Sequence, residues 1–185
     1  MAPHIIENPE HKPPSTFIEW YSKHPDETIS YGSYVPVGSN SYNVNGHVRL
    51  NKKANITNAD IINTTAHEKE HAYQQQQIER KKVLDALKNG HSTQYEGKNY
   101  TLEDVRRYEE QTGRNFVESE KEADKYIKAE EEYVSFKEDS SAYKRNYLEE
   151  MANIAGKNAE KEYQQSVKNL RSNFQYAPDY QIGLF

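Results

Sequence analysis

Apolar positions in this chain recur at two periods, and each period predicts its own kind of element. Ile61, Ile62, Ala66 and Tyr73 are spaced by about one and two helical turns, which predicts a long helix with one face toward a core. Thr57 precedes the run as an N-cap, and Asp60 three residues later supplies the acid of a short capping box. Asn89-Gly90 closes it, since glycine adopts the left-handed conformation that ends helices, so the helix is expected over about 57–87. A second start at Thr101, with Asp104 in the first turn, opens a shorter helix over about 101–111 that Gly113 stops. Further helices are expected over 116–138 and 141–170.

Residues 29–51 alternate instead, punctuated by Gly32, Pro36 and Gly38, and predict a short antiparallel sheet. Residues 42–50 read as strand, with Asn45-Gly46 as a tight hairpin turn. Residues 95–100 read as a turn between two short extended pieces. The first sixteen residues carry Pro3, Pro9, Pro13 and Pro14 and read as an extended arm. Residues 16–21, with the single tryptophan Trp20, are the first cluster able to enter a core. The expected architecture is α+β: an arm over 1–16, then one mainly helical domain over 17–185 with a small antiparallel sheet before the long helix. No internal repeat or sustained heptad is visible.

The long helix carries the chain's most specific chemistry. His67-Glu68-Lys69-Glu70-His71 reads H-E-x-x-H. Histidines four residues apart lie on one helix face, one turn from each other, so both imidazoles can reach one Zn²⁺. Glu68 adjoins the first of them, where a carboxylate can act as general base on a water held by the metal. His67 and His71 lie at the edge of the apolar stripe, between the expected core and a cleft. His4, His11 and His24 fall in polar, Pro-containing stretches, His91 in a loop, and His47 in the expected strand; none has a spacing that argues for a ligand.

Strand, short loop and H-E-x-x-H helix occur in the order seen in zincin metallopeptidases, which this chain resembles. In that family the strand beside the cleft commonly pairs with the substrate backbone, which singles out Val48, Arg49 and Leu50. The family's catalytic zinc takes a third protein ligand. With no cysteine present, that ligand must be His, Asp or Glu. Residues 143–153 read Y-x-x-N-x-L-E-x-x-A and resemble the second-helix signature of small bacterial toxin-like and effector-like peptidases. The resemblance implies Glu149 as third ligand, and Ala152 as the small residue that lets the two helices approach. Glu120-x-x-Ala123-Asp124 competes, since it resembles the E-x-x-A-D of other gluzincin-type peptidases. Its neighbours are nearly all charged, as on a solvated helix face, whereas the Glu149 segment offers Tyr147, Leu148, Met151 and Ala152 for burial.

Composition narrows the field further. A chain of 185 residues can bury a proper core, but its hydrophobic content of 34% is low, so the fifteen tyrosines must supply much of the apolar area. A net charge of −5 without a Lys/Arg block argues against a nucleic-acid-binding surface. No apolar run approaches membrane-spanning length. Met1 to Ile6 is too short an apolar start for a secretory leader.

The resemblance therefore implies a zinc metalloendopeptidase acting on a protein or peptide substrate. It also implies a secreted toxin or effector, cytoplasmic before export and delivered without a cleavable signal, with an immunity or inhibitor protein as its natural counterpart. Two other readings share the chain: a non-enzymatic acidic helical interaction domain, and an intracellular regulatory metalloprotease of the E-x-x-A-D kind.

Overall fold

One long helix is the spine on which the other elements pack. The structure, a computed structural model, describes residues 17–21, 32–35, 47–51, 57–95 and 98–175. The arm over 1–16, the Asn45-Gly46 turn and the tail beyond 175 lie outside the described residues. Three strands, β1 (Phe17–Tyr21), β2 (Gly32–Val35) and β3 (His47–Asn51), precede the spine α1 (Asn58–Lys88). A hairpin of β4 (Thr93–Tyr95) and β5 (Lys98–Tyr100) follows, then α2 (Leu102–Thr112), α3 (Glu120–Glu131), the short α4 (Ser140–Arg145) and the long α5 (Tyr147–Gln175).

Local chemistry sets the limits of α1 and α2 as expected. Thr57 accepts from the Asp60 amide at 3.2 Å, and the Asp60 carboxylate accepts from the Thr57 amide at 2.8 Å. These reciprocal bonds satisfy donors that a helix N-terminus leaves open. Asn89 caps the far end and Gly90 follows at φ 76°. The same box recurs at Thr101 and Asp104, and α2 ends on Gly113 at φ 66°.

The sheet departs from expectation. Its order is β1-β3-β2, with β1 parallel and β2 antiparallel to β3, so it is mixed. The antiparallel pair expected before the spine is present, and a parallel strand adds to it. β3 is central, so its hydrogen-bonding rows are taken by its neighbours on both sides. Val48 and Leu50 are fully buried. The segment Val48-Arg49-Leu50 therefore has no free edge for a substrate backbone. Among the described residues the sheet's edges belong to β1 and β2.

The expected helices over 116–138 and 141–170 are each interrupted. Ser119 caps α3 late, by accepting from the Glu122 amide at 3.2 Å. After Glu131 the chain turns, because Glu138 accepts from both the amide and hydroxyl of Ser135, at 3.1 and 2.7 Å. Asp139 then caps α4 by accepting from Ser141 and Ala142. Asn146 separates α4 from α5: its Oδ1 accepts from the Leu148 amide at 2.9 Å while its Nδ2 donates to the Ala129 carbonyl at 2.8 Å. One side chain thus starts α5 and ties it to α3.

Among the described residues, two apolar clusters lie along the spine. Val83, Leu84 and Leu87 pack with Tyr95, Val105, Phe116, Val117 and Ala123 at its C-terminal end. Arg80 is buried beside them, donating to the Tyr95 and Tyr108 hydroxyls and the Phe116 carbonyl at 3.2, 3.0 and 3.2 Å. Tyr73 and Ile78 pack with Tyr126, Ala129 and Leu148 nearer the middle, which anchors α3 and the start of α5 beside the H-E-x-x-H turns. Of the expected stripe, Tyr73 is buried, while Ile61, Ile62 and Ala66 are partly exposed.

Candidate metal centre

The contact of α1 with the first turns of α5 brings three ligating side chains together. His67 Nε2 lies 3.5 Å from Glu149 Oε2, and His71 Nε2 lies 3.5 Å from Glu149 Oε1. The two Nε2 atoms are 3.1 Å apart, with the rings edge to face at 83°. For a metal bound tetrahedrally at about 2.0–2.1 Å, ligand atoms sit roughly 3.3 Å from each other. The N–N spacing and the distance from each imidazole to its nearer carboxylate oxygen are close to that figure, although the two histidines meet different oxygens of Glu149. Among the described residues, His67, His71 and Glu149 form the group that could hold a metal ion, with one ligand atom of each within 4.8 Å of the others.

Each ligand is aimed by its surroundings. Gln74, one turn past His71 and 1% exposed, donates from Nε2 to the Leu148 carbonyl at 3.0 Å. Its Oε1 therefore faces His71 Nδ1, at 3.0 Å. An amide oxygen only accepts, so Nδ1 carries the proton and the Nε2 lone pair points into the centre. The same glutamine ties the two ligand helices together. Glu149 occupies the first turn of α5, where the aligned peptide dipoles favour negative charge. Ala152 and Gly156 follow one and two turns on, both buried. A Cβ on Gly156 would lie 2.9 Å from the Asn63 carbonyl oxygen, so the absence of a side chain there sets the helix separation.

The electrostatics suit a cation. Burial alone would depress His71, but Glu149, Glu68 and Gln74 together raise its pKa above the ordinary value. Burial alone would raise Glu149, yet the imidazoles of His67 and His71 beside it, the charge of His71 and the Tyr143 hydroxyl hold it far below the usual carboxylate range. Glu149 is 2% exposed, and its Oε2 has no hydrogen-bond partner. A buried carboxylate oxygen without a donor is costly unless a cation meets it. Two imidazole nitrogens and a carboxylate are also a donor set that zinc favours. These residues fit the ion.

Of the residues singled out from the sequence, His67, His71 and Glu149 converge. Glu68 is 8% exposed and close enough for its charge to act on both His71 and Tyr133. Glu120 does not join them. Its carboxylate accepts from Lys88 at 2.8 Å and lies 3.8 Å from Lys81. Lys88 is 21 residues beyond His67 on one helix, a separation of about 30 Å at a rise of about 1.5 Å per residue. Tyr133 and Tyr143, which contact Glu149, are not distinguishable in sequence from the other tyrosines. Asn146-x-x-Glu149, a cap residue three before a glutamate, was a legible sign of a helix start.

No protein-family model matches the chain, and no curated protein or solved structure matches it.

Proposed function

We propose that this chain is a zinc-dependent metallopeptidase that hydrolyses peptide bonds of a protein or peptide substrate. The observation that carries the proposal is the meeting of His67, His71 and Glu149, from helices far apart in sequence, around a buried carboxylate oxygen without a hydrogen-bond partner. His67 and His71 would hold the ion through Nε2 and Glu149 through its carboxylate. When bound, zinc supplies Lewis acidity, polarising a carbonyl and making water acidic near neutral pH. Gln74 keeps the His71 lone pair directed at the ion. Glu68 takes the proton of the attacking water and returns it to the leaving amine. His67 and His71 are 16% and 20% exposed, so the centre is not sealed from solvent.

Zinc analysis and peptide cleavage of wild type and Glu68→Gln test this together. Both proteins should carry about one zinc. The wild type should cleave peptides from a proteome-derived library, and the variant should be slower by about 10²–10⁴-fold. Cleavage of equal rate in both, or none by the zinc-loaded wild type, would contradict the proposal. Delivery into a target cell as a toxin or effector, matched by an immunity or inhibitor protein, belongs to the same proposal through the resemblance to toxin-like peptidases. It predicts growth arrest on cytoplasmic expression that Glu68→Gln relieves; equal growth of both strains would remove it.

A further inference from the structure

The connection between α3 and α5 carries aromatic side chains that bear on the third ligand. The Tyr133 hydroxyl donates to Glu149 Oε1 at 3.0 Å. The Tyr143 hydroxyl interacts with both Tyr133 and Glu149. Their rings meet edge to face at 5.9 Å, and Phe136 closes on Tyr143 at 5.6 Å. The loop presenting them is pinned by the Ser135–Glu138 bonds and the Asp139 cap, so the hydroxyls are held by local structure on both sides. Each oxygen of Glu149 lies 3.5 Å from one histidine, but their hydrogen bonding differs: Oε1 accepts from Tyr133, while Oε2 is buried without a hydrogen-bond partner.

We propose that Tyr133, supported by Tyr143, is a positioning residue for the third ligand: its hydroxyl occupies Oε1 and leaves Oε2 alone to engage the metal. The proposal rests on the metal-centre reading above and specifies its geometry. A carboxylate held by one oxygen binds monodentately and leaves a coordination position for substrate; one released from Tyr133 can turn and chelate with both. Tyr133 is 44% exposed, so a phenylalanine can replace it without opening a cavity in the core.

Tyr133→Phe, Tyr143→Phe and the double variant, prepared from the full chain, test this. Zinc affinity is measured by competition with a chromophoric chelator, and cobalt(II) is substituted for its visible spectrum. Tyr133→Phe should weaken zinc binding by about 10–100-fold, and the double variant at least as much. The cobalt bands should lose intensity as the site gains a fifth ligand atom. A hydroxyl with a merely structural role would lower the melting temperature and leave the cobalt spectrum unaltered. Wild-type affinity and spectrum in Tyr133→Phe would overturn the positioning role while the metal centre stood. A wild type that binds neither zinc nor cobalt would overturn both.

Discussion

Gln74 is where the fold and the centre share one side chain, so Gln74→Leu separates what each requires. The substitution keeps size but removes the bond to the Leu148 carbonyl and the contact with His71 Nδ1, both 3.0 Å. A buried polar group stripped of its partner costs about 1–3 kcal/mol. The Leu148 carbonyl lies in the first turn of α5 and keeps its helical bond, so its share is at the low end, about 1 kcal/mol. The His71 N–H contributes about 1–3 kcal/mol, and burying leucine in place of an amide returns roughly 1 kcal/mol. The net loss is about 1–3 kcal/mol, or a melting temperature lower by roughly 3–10 °C for a chain of this length. Urea unfolding of the metal-free protein measures the first figure and calorimetry the second. Zinc affinity should fall by about 10–100-fold, because His71 loses the group that selects its tautomer. Gln75→Leu, which removes only a bond to Glu79 at 3.1 Å, is the control and should change stability by about 0.5 kcal/mol or less. If Gln74→Leu lost stability but kept wild-type zinc affinity, the tautomer argument would be refuted. If it lost neither, the bridge between the helices would be refuted.

Three other predictions follow from the same geometry. In the metal-free protein the raised pKa of His71 gives stability that is full below its ordinary value of 6.5 and is lost as pH rises through the folded value. The lowered pKa of Glu149 gives stability present above its ordinary value of 4.5 and lost as pH falls through the folded value. Metal-free wild type should therefore gain stability relative to His71→Gln most clearly between these two values; an identical pH profile for both proteins would count against the coupling. Zinc must displace the His71 proton, so its affinity should drop as pH falls through the raised value, by about tenfold per unit for one proton. Gly156→Ala should destabilise by about 0–2 kcal/mol, since overpacking at about 1–3 kcal/mol exceeds the helix-propensity gain of roughly 1 kcal/mol. Denaturant unfolding checks it, and a clear increase in stability would show that the Asn63 backbone does not limit the approach of α5.

What the sequence made legible was local. Thr57 with Asp60, Thr101 with Asp104, Asn89-Gly90 and Gly113 each place a helix end by chemistry confined to a few neighbouring residues. The H-E-x-x-H spacing is likewise a property of one helix. Glu149 was favoured over Glu120 through its apolar neighbours, and the fold buries Leu148 and Ala152 while Glu120 sits against Lys81 and Lys88. What stayed hidden depends on partners distant in sequence. The central place of β3 is decided by β1 and β2, which local alternation cannot report. Asn146 signals the start of α5 locally, but the bond that ties it to α3, to the Ala129 carbonyl, is distant in sequence. Arg80 looks like a surface residue until Tyr95, Tyr108 and the Phe116 carbonyl surround it. Tyr133 reaches Glu149 only because the Ser135–Glu138 turn folds the connection back.

Zinc content of the purified chain, by elemental analysis of wild type, Glu149→Ala and Glu120→Ala side by side, tests the central claim most directly. About one equivalent in the wild type and in Glu120→Ala, lost in Glu149→Ala, is the predicted result. Zinc retained by Glu149→Ala would contradict the ligand set. A wild type that stays free of zinc after zinc is supplied would contradict the metal centre and with it the peptidase, leaving an acidic helical interaction domain as the account of this chain.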